Sequence, residues 1–223
     1  MDEIAPIETF KHSTNTNTMY NIFKNSFLFV VVALLAACSK DNNEVKIQAH
    51  DQNQMMAIMH QMMAKMDTMK MTKDPDNDFA LMMRMHHQGA IDMANLELKS
   101  GSDATMKQLA TSIIQDQQVE ITQLTSFLQS HKAHLIDPDF DMMQMMTMTK
   151  GGKQADLQII NGRIDHDFAI LMIGHHQSAV ENSRLELLHG QEQSMKTMAT
   201  NIISAQQTEI GQFQDWLLAN GNK

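Results

Sequence analysis

Two stretches of this chain are versions of one sequence, offset by 89 positions. DFALMMRMHHQGAIDMANLELKSG starts at Asp78, and DFAILMIGHHQSAVENSRLELLHG starts at Asp167. Both continue without a gap into MKQLATSIIQDQQVEIT from Met106 and MKTMATNIISAQQTEIG from Met195. Such a duplication restricts the chain to two copies of one supersecondary unit, each needing the other to cover its apolar face. The copies keep more than apolar spacing. A His-His-Gln triplet, a later Glu and a Gln-x-x-Glu pair recur where a packing helix would carry Leu.

The apolar spacing is helical. Phe79, Met83, His86, Ala90, Met93 and Glu97 alternate three and four apart, as one face of a helix over about 79–99 requires. Ser100-Gly101 ends it, and Ser102 or Asp103 caps a third helix over about 104–131, with inner line Ala110, Ile113, Gln117, Glu120, Leu124 and Phe127. The second copy repeats these lines as Phe168, Met172, His175, Ala179, Asn182 and Glu186, then Ile202, Gln206, Glu209, Phe213 and Trp216. Its helices run over about 167–188 and 191–220. Upstream, Ala49–Met71 has no Pro or Gly and carries a seam of Met55, Met59, Met62, Met66 and Met69, widened by Met56, His60 and Met63. KDPDND follows, where Asp76 or Asp78 can cap the next helix. A weaker echo precedes the second copy: MKMTK at Met69 returns as MTMTK at Met146, followed by twelve extra residues with Gly151-Gly152.

These patterns predict an all-α protein, an antiparallel four-helix bundle of two repeated hairpins. The Met-rich N-terminal helix lies against the bundle or stays partly loose. The expected division is 1–38 as a signal segment, 39–48 as a tether, 49–136 as the first repeat with its Met-rich helix, and 137–223 as the second. Ser26–Ala37 is a short apolar run after Lys24, ending in LLAAC at Cys38. That is the form of a secretory signal, too short to span a membrane, and the ending resembles a bacterial lipobox. Translation from Met19 fits the signal better than Met1. Lipidation of Cys38 implies a membrane partner and an envelope location, on the periplasmic side of the outer membrane or at the cell surface.

Cys38 is the single cysteine, so the mature chain offers neither thiolate ligands nor a nucleophilic thiol. A net charge of −9 without a basic stripe excludes nucleic acid as a partner. Methionine is the compositional outlier, with 23 residues. Thioether plus imidazole favours a soft monovalent cation: Cu(I), with Ag(I) as a second candidate. Met83/His86 and Met172/His175 place S and N one turn apart, and His87 and His176 lie about 100° round the same helices. The expected metal-binding set is therefore Met83, His86, His87, Met93, Met172, His175 and His176. Glu97, Glu186, Glu120 and Glu209 join them as ligands, as carboxylates orienting imidazoles, or as members of a structural polar network. Met55–Met69 and Met142–Met148 read equally as further ligands or as plastic packing.

The two HHQ words, with QDQQVEI and AQQTEIGQFQDWL, resemble the bacterial domain-of-unknown-function family 305 over about Asp78–Leu218. The resemblance implies a ferritin-like four-helix fold and copper binding in the periplasm. Arg84-Met85 and Ile173-Gly174 stand where the family's commonest form has Ile-Pro, and Asn182 replaces the Met found at Met93. A second site poorer in sulfur follows from that. Copper buffering or resistance without catalysis is the leading expectation, and a homo-oligomer is compatible with it. Two other readings stay open. One is an iron or manganese carboxylate oxidase of ferritin-like type. The other is a non-metal module that binds partners through Met-rich surface.

Overall fold

The computed structural model describes residues 47–221; the signal segment, Cys38 and most of the tether lie outside the described residues. Six α-helices follow one 3₁₀ turn at His50–Gln52. They are α1 (Gln54–Met66), α2 (Pro75–Ser100), α3 (Ala104–Ser130), α4 (Pro138–Asp156), α5 (Ile164–His189) and α6 (Gln193–Asn220). The all-helical expectation holds, but the repeat is larger than a hairpin. Each copy has three helices, α1–α3 and α4–α6, because the Met-rich segment of the second copy is also helical. Gly151-Gly152 does not stop α4, whose Gly152 and Ala155 are buried. Tertiary packing there overrides the poor helix propensity of glycine.

The helices form three layers of two. The central pair, α2 and α5, is covered on one side by α1 and α4 and on the other by α3 and α6. Burial follows this order. Both central helices bury most of their surface, including Phe79, Met82, Met83, Met93, Phe168, Leu171 and Met172, and expose only a narrow stripe through Gln88, Asn95 and Lys99 on α2 and through Arg184 and Leu188 on α5. A helix with so narrow an exposed stripe belongs in the middle of a bundle. The Met-rich α1 is not loose: Met55, Met56, Met59, Met62 and Met66 are all buried. It stops at Met66, however, so Met69 and Met71 lie beyond the helix rather than on its seam.

Aspartates set the helix starts. The cap of α2 is Asp74, which accepts from Asn77 N, with Pro75 at the first helical position. Asp76 and Asp78, the expected caps, lie inside the helix and are buried. Asp103 caps α3 and Asp137 caps α4. Asp78 instead clasps the preceding loop, accepting from Thr72 N, Thr72 Oγ1 and Lys73 N. Its copy Asp167 accepts from Asn161 N and Gly162 N. The clasped positions correspond: Lys73 has φ 71° and Gly162 φ 82°. One left-handed position is thus filled by glycine in one repeat and by a strained lysine in the other.

Candidate metal centre

The central helices run antiparallel and meet at their histidines. The His86 and His175 rings lie 3.6 Å apart, tilted by 30°, one from each repeat. His175 Nε2 is 3.1 Å from the carbonyl oxygen of His86. A carbonyl only accepts, so Nε2 carries the proton and Nδ1 carries the lone pair. Nδ1 of His86 and Nδ1 of His175 are buried without a hydrogen-bond partner. Burial lowers both imidazole pKa values well below the ordinary range, and the neighbouring histidines push the same way. Both rings are therefore neutral at physiological pH, as metal ligation demands.

These rings face sulfur. His86 and His175 line a narrow cavity of about 20 Å³ with Met59, Met62, Met63, Met66 and Met148. The volume suits one small guest, near the minimum for a water. Glycines let the thioethers approach. A Cβ at Gly89 would collide with Met62 Sδ, and one at Gly152 with the Met63 methyl group. Glycine inside a helix costs about 1 kcal/mol relative to alanine, and here the space it leaves seats two methionines of α1. The sulfur beside the histidines thus comes from the Met-rich helices. Met83, Met93 and Met172 are fully buried in the core but do not line this cavity.

His87 and His176 point to the opposite layer. His87 Nε2 lies 2.8 Å from Glu120 Oε2 and His176 Nε2 lies 2.8 Å from Glu209 Oε2. In both, the oxygen sits off the N–H direction, so the contact is electrostatic rather than a formed hydrogen bond. Gln117 and Gln206 are buried beside this layer with both amide atoms unpartnered. Asp116 adds a third carboxylate, its pKa raised by burial and by the charges of Glu209 and Glu120. Buried polar atoms without partners are rare and point to a water or an ion, and His86, His87, Gln117 and their counterparts His175, His176 and Gln206 each contribute at least one. The donor set fits a cation.

Glu97 and Glu186 lie elsewhere, about 16 Å along each helix from the histidines at 1.5 Å per residue. Burial and a hydrogen bond with Asp165 raise the Glu97 pKa to about 8. Burial and a hydrogen bond with Asp76 raise that of Glu186 to about 10. Each Glu carboxyl thus lies against an aspartate of the other repeat, and as two carboxylates cannot bond without a shared proton, its oxygens have no other donor. Asp165 in turn accepts from Ser102 N and Asp103 N, and Asp76 from Gln191 N and Glu192 N. The four core glutamates are not gathered into one layer, as a dinuclear carboxylate centre requires. Asp76 and Asp165 stand two residues ahead of Asp78 and Asp167, and their spacing of 89 is the sequence signal that marks them as equivalent partners. Asn182, in the place of Met93, donates to Ser178 O on its own helix.

The described residues include no helix long and apolar enough to cross a membrane. Comparison with curated proteins gives no match. Among solved structures, CopM in a silver-bound form is 30% identical with TM-score 0.51, covering 68% of this chain and 98% of that one. CopM in a Cu(II)-bound form is 29% identical with TM-score 0.51, covering 65% and 98%. A DUF305 protein of Streptomyces coelicolor shares the fold at 22% identity and TM-score 0.54, covering 68% and 96%. The family described as Domain of unknown function (DUF305) matches residues 30–128 and 76–217, and the chain belongs to it.

Proposed function

We propose that this protein binds Cu(I), and Ag(I) in its place, at a site shared by the two repeats, and serves copper buffering or resistance in the cell envelope. One observation carries the reading: two neutral imidazoles from different repeats, each with an unpartnered Nδ1, line a cavity with five methionines. Neutral N and S donors without thiolate suit a d¹⁰ monovalent ion, which accepts two to four ligands. The silver-bound CopM supports this, since Ag(I) shares those preferences. His86, His175, Met59, Met62, Met63, Met66 and Met148 are the proposed ligand pool, and His87 and His176 back this centre from the opposite face without lining its cavity. Glu120 and Glu209 steady the second histidine pair. The envelope location and the lipid at Cys38 rest on the signal segment alone.

The chemistry assigned to the chain is binding rather than turnover. The test is anaerobic competition of the apo-protein with a Cu(I) chelator. Wild type should hold the ion at least about 100-fold more tightly than H86A/H175A, given that loss of supporting residues alone costs about 10–100-fold. Equal affinities overturn the proposal.

A further inference from the structure

Away from the histidine layer, a second set of ligating atoms converges where the link between the repeats crosses the start of α2. His131 follows the last residue of α3, and its ring stacks on Phe127 with centroids 4.6 Å apart and planes at 15°. That stacking fixes the imidazole. Its Nε2 is buried without a hydrogen-bond partner and lies 3.9 Å from Asp74 Oδ2. His134, three residues on, places Nδ1 3.6 Å from the same oxygen and 3.3 Å from Lys132 O, a contact that a metal at Nδ1 displaces together with its proton. The two rings meet edge-on at 5.2 Å.

Asp74 is fully buried and holds the linker in place. Its Oδ2 accepts from His134 N and Leu135 N, each at 2.9 Å, and its Oδ1 accepts from Asn77 N at 3.2 Å. An ionised carboxylate offers about four acceptor positions. Oδ2 takes two of these and Oδ1 one, so a cation between the histidines shares Oδ2 with the two linker amides. Burial alone would raise the Asp74 pKa, but these backbone N–H groups hold it below the ordinary range. One atom from each of Asp74, His131 and His134 lies within 4.8 Å of the others. A tetrahedral ion with bonds of about 2.0–2.1 Å separates its ligands by about 3.4 Å. At 3.6 Å the His134 contact is near this spacing, and the 3.9 Å from Asp74 Oδ2 to His131 Nε2 closes by a slide of the His131 ring along Phe127. Glu192 Oε1, 3.7 Å from His131 Nδ1, orients the ring from its far side.

We propose that Asp74, His131 and His134 form a binding site for a borderline divalent transition metal, Zn(II) or Cu(II), separate from the soft-metal centre. Two imidazoles and a carboxylate lack the sulfur that selects Cu(I), and they carry too much nitrogen for Mg or Ca. The site is single. The corresponding positions of the second repeat are Arg163, Asn220 and Lys223. An ion there would tie α2, the end of α3 and the linker between repeats together.

The test is calorimetric titration of the full chain with Zn(II), and Cu(II) electron paramagnetic resonance, on wild type, H131A/H134A and H131Q/H134Q. Wild type should bind one more equivalent of Zn(II) than either variant and should show nitrogen coupling from two imidazoles that both variants lose. Ag(I) loading should be unchanged in all three. The Gln variants retain polar side chains, so a fold defect confined to H131A/H134A leaves the comparison intact. Equal Zn(II) stoichiometry in wild type and H131Q/H134Q overturns the site. Loss of Ag(I) loading in H86A/H175A but not here separates this inference from the proposed function.

Discussion

The adjacent histidines of each repeat serve two different environments. His86 and His175 turn to a layer of thioethers, lie stacked across the repeat boundary, and are held neutral by burial. His87 and His176, one residue on, turn to carboxylates, each within its own repeat. A step of about 100° round a helix is therefore enough to pass from soft donors to hard ones. In the proposed function the sulfur face selects the cation by softness and the carboxylate face supplies charge.

The strongest way to break that contrast is H86A/H175A against H87A/H176A. Ag(I) affinity, read by competition titration, should fall by at least about 100-fold in the first and by clearly less in the second. The reverse order would move the site to the other face. M62L/M63L comes next. It removes sulfur at nearly constant volume, so Ag(I) affinity should fall about tenfold while stability changes by less than about 1.5 kcal/mol. An unchanged affinity would make those methionines packing only. E120Q/E209Q should weaken binding by less than tenfold, since these groups steady His87 and His176 rather than line the sulfur cavity.

E97Q/E186Q should leave Ag(I) affinity untouched and change the pH dependence of stability. Both glutamates have folded pKa values above the unfolded 4.5. Their contribution is complete below pH 4.5 and is lost as pH rises through about 8 for Glu97 and about 10 for Glu186. His86 and His175 act oppositely, losing stability as pH falls below 6.5. Thermal melts of the double variant should therefore flatten between pH 6 and 9 relative to wild type, with the acid limb retained. An amide donates to Asp165 or Asp76 without having to keep a proton. Lower affinity in this variant would return these glutamates to the metal centre.

The hairpins and their inner lines were legible in the sequence because alternation by three and four has one physical reading. The same seams suggested a site in each repeat, and only the antiparallel contact of α2 with α5 sets His86 against His175 instead. Three further things were hidden. Periodicity cannot separate a methionine that packs from one that faces an imidazole, so the roles of Met62, Met63 and Met148 needed the third dimension. The helix through Gly151-Gly152 was obscured by poor propensity, although contact with α5 and with Met63 outweighs it. The caps of α2 were ambiguous because Asp74, Asp76 and Asp78 are all chemically able to cap, and only geometry assigns Asp76 to Glu186 and Asp78 to the loop.

The rotation that exchanges the repeats carries His86 onto His175 and Glu97–Asp165 onto Glu186–Asp76. The two histidines therefore face each other across its axis. A half-length chain pairing with a copy of itself would already place both imidazoles side by side. Joined in one chain, the halves need not match. They differ at Lys73 against Gly162 in the loops, Met93 against Asn182 in the core, and Asp74 with His131 and His134 in one half only. They agree at the histidines, where a change in one half alone unbalances what both halves hold in common.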